Sequence, residues 1–72
     1  MNPGVSIIEA RIADTADGWR LDRALADAVP TLSRERLKAL ISSGAVTGPQ
    51  GLVRDPARKA PAGTLFSVAV PE

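Results

Sequence analysis

The 72-residue chain has no cysteine, no histidine and no tyrosine, and a single tryptophan and phenylalanine. Without cysteine there is no disulfide framework, no thiol nucleophile and no cysteine-built zinc site. Without histidine the commonest general base and metal ligand are missing as well. No apolar run approaches the roughly 18 residues of a membrane span, and the N-terminus lacks the basic start and apolar stretch of a signal peptide. The expectation is a cytoplasmic protein with no membrane contact. At this length there is room for one domain, which buries only roughly 60–65% of the surface its unfolded chain exposes. That is too little for a deep pocket, so catalysis by the chain alone, a cofactor, a metal or a small-molecule ligand is not expected. With Trp19 and Phe66 as the aromatic supply, the core must be built from Leu, Val, Ile and Ala.

What is present is heavily punctuated: six Pro and six Gly cut the chain into short elements. Val5 to Ile12 is rich in β-branched residues with partial alternation and predicts a first strand. Asp14 to Gly18 is polar and turn-like. From about Arg20 the period changes: Leu21, Ala24, Leu25, Ala28 and Val29 form the apolar stripe of an amphipathic helix. Pro30 ends it by removing a donor and pushing Val29 out of the helical region. Ser33 is a good N-cap for a second helix with Leu37, Leu40 and Ile41 as its stripe and Gly44 as its C′ residue. A link of about three residues, Pro30 to Leu32, makes the two helices neighbours. The rest reads as β. Ala45 to Thr47 is extended, Gly48-Pro49-Gln50-Gly51 is a turn, and Leu52-Val53 is extended again. A basic loop runs from Arg54 to Ala62. In Leu65 to Val70 the residues Phe66, Val68 and Val70 face the core. The fold class is α+β, two packed helices against a small antiparallel sheet.

The net charge of +1 conceals an asymmetry. Residues 1–32 set Arg11, Arg20 and Arg23 against Glu9, Asp14, Asp17, Asp22 and Asp27, a net −2. Residues 33–60 set Arg34, Arg36, Lys38, Arg54, Arg58 and Lys59 against Glu35 and Asp55, a net +4. A basic middle in a near-neutral chain suggests a local patch for phosphates; the plain alternative is a solvated charged face. At about 100° per residue, Arg34 and Lys38 fall on one flank of the second helix's apolar stripe and Arg36 on the other. Ser33 and the amides after it add a helix N-terminus. Arg54, Arg58 and Lys59 are a second supply, and the sequence does not force the two to converge. Without interleaved aromatics there is no platform for stacking bases, so a structured RNA's backbone suits the patch better than single-stranded bases.

Arg20-Leu21-Asp22, Leu25, Ser33-Arg34, Leu40-Ile41, Gly44, Val46, Pro56, Gly63 and Val68 resemble the RNA-binding domain named after small-subunit ribosomal protein S-four, the alpha-L fold. The resemblance covers about residues 18–70, with residues 1–17 as a tail and first strand. Ser33 to Lys38 and Asp55 to Lys59 look most like the N-terminal domain of large-subunit ribosomal RNA pseudouridine synthases. In those enzymes a separate, larger domain performs the isomerisation, and no such domain is present here. The resemblance implies a monomeric, non-catalytic module that docks structured, ribosomal RNA through Ser33, Arg34, Arg36, Lys38, Arg54, Arg58 and Lys59. Two alternatives stand beside it: a free-standing ribosome-associated RNA-binding protein, and a protein-interaction module without RNA binding. The synthases' catalytic motif ends in Arg-Leu-Asp, which Arg20-Leu21-Asp22 repeats. Asp22, however, opens a helix with no His before it and no pocket around it, so it is read as structural or capping. Trp19 is read as a core residue or an anchor at the helix start. The turn Val46-Thr47-Gly48-Pro49-Gln50-Gly51 departs from the family's Val-x-Val-Asn-Gly and leaves that hairpin's geometry open.

Overall fold

The computed structural model describes residues 4–71. The chain runs β1 (Val5–Arg11), a 3₁₀ turn (Asp14–Ala16), β2 (Trp19–Arg20), α1 (Leu21–Ala28), α2 (Arg34–Ser42), β3 (Val46–Gly48), β4 (Gly51–Val53), β5 (Lys59–Ala60) and β6 (Leu65–Pro71). β1, β6, β3 and β4 form, in that order, a four-stranded antiparallel sheet, and β2 pairs with β5 in a separate two-stranded ribbon. The architecture is the α+β class expected from the sequence.

Both helices put their apolar stripes on the sheet. Leu21, Ala24 and Leu25 of α1, and Leu37, Leu40 and Ile41 of α2, meet Ala10, Ile12, Val46, Val53, Phe66 and Val68 in one buried cluster. The alternation in β6 holds, with Phe66 and Val68 buried, while Val70 is partly buried at the strand's end. β1 pairs with β6 over its full length, from Val5 opposite Pro71 to Arg11 opposite Leu65. Its partial alternation resolves with Ala10 buried and Ile8 half-buried, while Val5, Ile7, Glu9 and Arg11 are exposed.

The helix ends follow the local chemistry. α1 stops at Val29, whose φ of −126° and ψ of 78° lie outside the helical region before Pro30. At α2 the Ser33 hydroxyl accepts the Arg36 N–H at 3.0 Å. At its other end, the Gly44 N–H donates to the Ile41 carbonyl and the Ala45 N–H to the Leu40 carbonyl, at 3.1 and 2.9 Å. This is the paired bonding of a Schellman motif, and it requires the left-handed φ of +88° at Gly44.

The hairpin left open by the sequence forms between β3 and β4, with Gly48 opposite Gly51. Pro49 fixes φ near −65°, which excludes the mirror-image turns usual in two-residue hairpins, so the positive φ falls on Gly51 instead, at +117°. Gly48 is constrained for a different reason. A Cβ there would lie 2.9 Å from the Phe66 ring, so the aromatic packs directly on bare backbone.

The ribbon of β2 and β5 departs from the sequence reading, which treats residues 54–62 as a loop. Trp19 pairs with Ala60 and Arg20 with Lys59. Two-residue strands are too short to leave a periodic signal, and only the tertiary contact makes them extended.

Candidate nucleic-acid interface

The start of α1 organises the basic surface. Arg20 occupies the N-cap position and its side chain makes no capping bond. The first helical amides are satisfied from elsewhere: Leu21 N–H donates to the Arg58 carbonyl at 2.7 Å and Asp22 N–H to the Pro56 carbonyl at 3.1 Å. Gly18 N–H donates to the Ala60 carbonyl at 2.8 Å, and the Asp17 carboxylate accepts the Ala62 N–H at 2.8 Å. Within the loop, the Asp55 carboxylate accepts the Ala57 N–H and its carbonyl accepts the Arg58 N–H. The basic loop is therefore tied to residues 18–22 by three backbone bonds and to the Asp17 carboxylate by a fourth, and it docks on the start of α1 rather than along α2.

Asp22 links this loop to α2. Its side chain is fully inaccessible to solvent. Its Oδ1 accepts the Arg23 N–H at 2.8 Å and lies 3.3 Å from Arg20 Nε; its Oδ2 lies 3.3 Å from Arg20 Nη2 and 3.4 Å from Arg34 Nε. Burial alone would raise the carboxyl's pKa, but the Arg23 N–H and the charges of Arg20 and Arg34 more than offset this and hold it below its ordinary value. Asp22 is thus a buried, ionised brace between two guanidiniums, which agrees with its structural reading from the sequence. Among the described residues, no buried side-chain polar atom is left without a hydrogen-bond partner.

The predicted cations divide into groups. Arg34, the first residue of α2, shares Asp22 with Arg20, and Arg20 is in register with Lys59. One helical and one loop cation are thereby brought to the same corner. Lys38 pairs with Glu35 at 3.8 Å on the exposed side of α2. Ser33 is exposed, with its hydroxyl engaged as the helix cap. Arg36 is exposed one turn along from Ser33. Arg54 lies at the opposite end of α2, where a Cβ on Gly44 would meet its guanidinium at 3.5 Å. The carbonyl end of a helix favours a cation there. Arg58 departs from its neighbour Lys59 and borders a cleft of about 290 Å³ lined also by Gly48, Gln50, Leu52 and Phe66.

The residue that sequence reasoning missed is Arg20, which enters that reading in the charge balance, at the start of the first helical stripe and in the tripeptide Arg20-Leu21-Asp22, but not among the candidate contact residues. A signal was there: a carboxylate in the first turn of a helix, flanked by arginine, at a position the stripe leaves next to the core. Trp19 is half-buried against the core, as expected, and carries the Arg23 guanidinium 4.0 Å from its ring centroid.

The described residues thus form a small α+β module with cations gathered around a buried carboxylate and along one helix. No family model matches the chain. Over 55 residues it is 62% identical to the ribosomal large subunit pseudouridine synthase D of Zymomonas mobilis subsp. mobilis, a stretch amounting to 75% of this chain and 17% of that protein. The chain is therefore related to a pseudouridine synthase over most of its length and spans only a small part of that relative. Among the described residues, no helix is long and apolar enough to cross a membrane.

Proposed function

We propose that this chain is the S-four-like RNA-docking module of a cytoplasmic ribosomal RNA pseudouridine synthase, holding structured RNA while chemistry is done by a separate domain. The observation that carries this reading is the 62% identity to a protein named as such a synthase, over three quarters of the chain. The geometry supports it: the basic loop is tied to the start of α1, so Arg20 and Arg34 share one corner with Lys59 in register beside Arg20, while Lys38 continues along the same flank of α2, Arg36 lies on the other flank and Arg54 stands at the helix's far end. Cations arranged this way displace counterions from phosphates and fix an RNA's orientation without reading its bases. Ser33 sits at the rim of this surface, and Arg58 offers a further phosphate contact from the cleft side of the loop.

The test is a titration of the isotope-labelled chain with a structured ribosomal RNA stem-loop, following amide shifts at about 50 and 200 mM salt. Shifts are expected at Ser33 to Lys38 and Arg54 to Lys59, weaker at the higher salt. Three to five phosphate contacts correspond to log K falling with log salt at a slope of roughly 2 to 4.5. A folded chain with no shifts at either salt overturns the reading.

The second reading, a protein-interaction module, has one observation in its favour. Val5, Ile7, Leu52 and Leu65 are all large hydrophobics that remain exposed. It predicts association that is insensitive to salt and to charge reversal at Arg34 or Lys38.

A further inference from the structure

We propose that Asp22 is a positioning residue that holds Arg20 and Arg34 as a paired-guanidinium fork for a single phosphate of the RNA backbone. This rests on the RNA-docking reading and adds to it one contact residue, Arg20, and one role, that of Asp22.

The two arginines come from different elements, the end of β2 and the first residue of α2. Two guanidiniums at such a corner repel one another unless a counter-charge lies between them. The Asp22 carboxylate supplies it from a position that water does not reach, with one oxygen toward Arg20 and the other shared by Arg20 and Arg34. A carboxylate so enclosed must satisfy its oxygens from the protein, and doing so fixes the reach of both side chains.

The donor count leaves a surplus. Each guanidinium carries five N–H donors. Asp22 engages Nε and Nη2 of Arg20 and faces Nε of Arg34, so both Nη groups of Arg34 and Nη1 of Arg20 remain. The two side chains are 45% and 47% exposed, so those donors are open to a ligand. The charge balance has the same sense. Arg20, Arg34 and Lys59, with Lys59 in register with Arg20, outnumber the single carboxylate. A phosphodiester, one negative charge with two free oxygens, matches two nearby guanidinium edges. Because Asp22 already restrains both side chains, less conformational freedom is lost when the phosphate binds. A base is a poorer fit, since the ring of Trp19, next to Arg20 in the chain, is half-buried and already stacked by the Arg23 guanidinium.

The experiment titrates the 72-residue chain with the same RNA stem-loop across about 50 to 200 mM salt, comparing Arg20→Gln, Arg34→Gln, the double variant and Asp22→Asn. Each single arginine variant is expected to bind roughly tenfold more weakly. The salt slope should hardly change, because the remaining guanidinium still neutralises the same phosphate. The double variant should lower the slope by about 0.7–0.9, the contribution of one phosphate. Asp22→Asn keeps the side chain's shape and is expected to weaken RNA binding several-fold while the amide spectrum stays folded. A slope loss in the double variant of twice that size means two separate phosphates and overturns the fork. Wild-type binding in both single variants also overturns it. If Lys38→Gln and Arg58→Gln still weaken binding in that case, the docking reading survives. An unliganded wild-type chain at both salts removes docking and fork together. Should Asp22→Asn unfold, the two exposed arginine variants decide the matter.

Discussion

Asp22 shows how one side chain sets the character of its surroundings. An ionised carboxylate without solvent contact is costly unless hydrogen-bonded and paired, and here a backbone N–H and two guanidiniums meet it. The lowered pKa carries a stability consequence with a definite sign. Above the ordinary carboxylate range, near about 4, Asp22 is charged in both states and its contribution is complete. As pH falls below that range the unfolded chain takes up the proton first, and the contribution shrinks until the folded form protonates too. Urea unfolding of wild type and Asp22→Asn at pH 6, 4 and 3 is therefore expected to converge on acidification, from a difference of about 2 kcal/mol at pH 6. A constant gap across that range would mean that the charge of Asp22 adds nothing to folding. The carboxylate's identity was legible in the sequence as structural, but its partners were not. Arg34 is twelve positions away, and nothing local announces that it turns back to α1.

At the scale of elements, α2 is the segment whose sequence and structure agree most closely. Its stripe, its Ser33 cap and its Gly44 terminus are all local features, each governed by residues within a turn of one another. Ser33→Ala removes the one side-chain acceptor at the N-terminus and is expected to cost about 1 kcal/mol, read as a lower urea midpoint with unchanged m-value. Ser33→Gly should recover most of the loss, since glycine is a tolerated cap. No change in Ser33→Ala would mean that water replaces the hydroxyl at no cost. α1 presents the opposite case. Its apolar stripe was readable, but its N-terminus has no side-chain cap and depends on carbonyls of Pro56 and Arg58, more than thirty residues downstream. The same contacts turn a predicted loop into β5, and they divide Arg58 from Lys59, neighbours that the sequence treats as one group.

At the scale of the whole molecule, β1 decides whether the rest holds together. It is paired with β6 from end to end and contributes Ala10, while Ile12 just beyond it is among the fully buried side chains. Removing residues 1–12 exposes one edge of β6 and opens the core between sheet and α1. In a chain of this size, where the margin of stability is small, such a loss is expected to abolish folding. The far-UV circular dichroism of the shortened chain should lack the helical signal and a cooperative melt. A cooperative transition would make β1 an appendage to a unit that begins near residue 18.

The sequence by itself determined the α+β class, both helices, the strands β1 and β6 and the concentration of positive charge in residues 33–60, because each is written in residues adjacent in the chain or repeated at a fixed period. Tertiary structure alone decided which cations meet. The loop's position is set by carbonyls that complete a distant helix, Arg20 and Arg34 come together around a buried carboxylate, and strand pairing sets Lys59 opposite Arg20. Those interactions depend on distance through space, on exclusion of water and on the fixed direction of a few N–H groups, none of which leaves a spacing in the sequence.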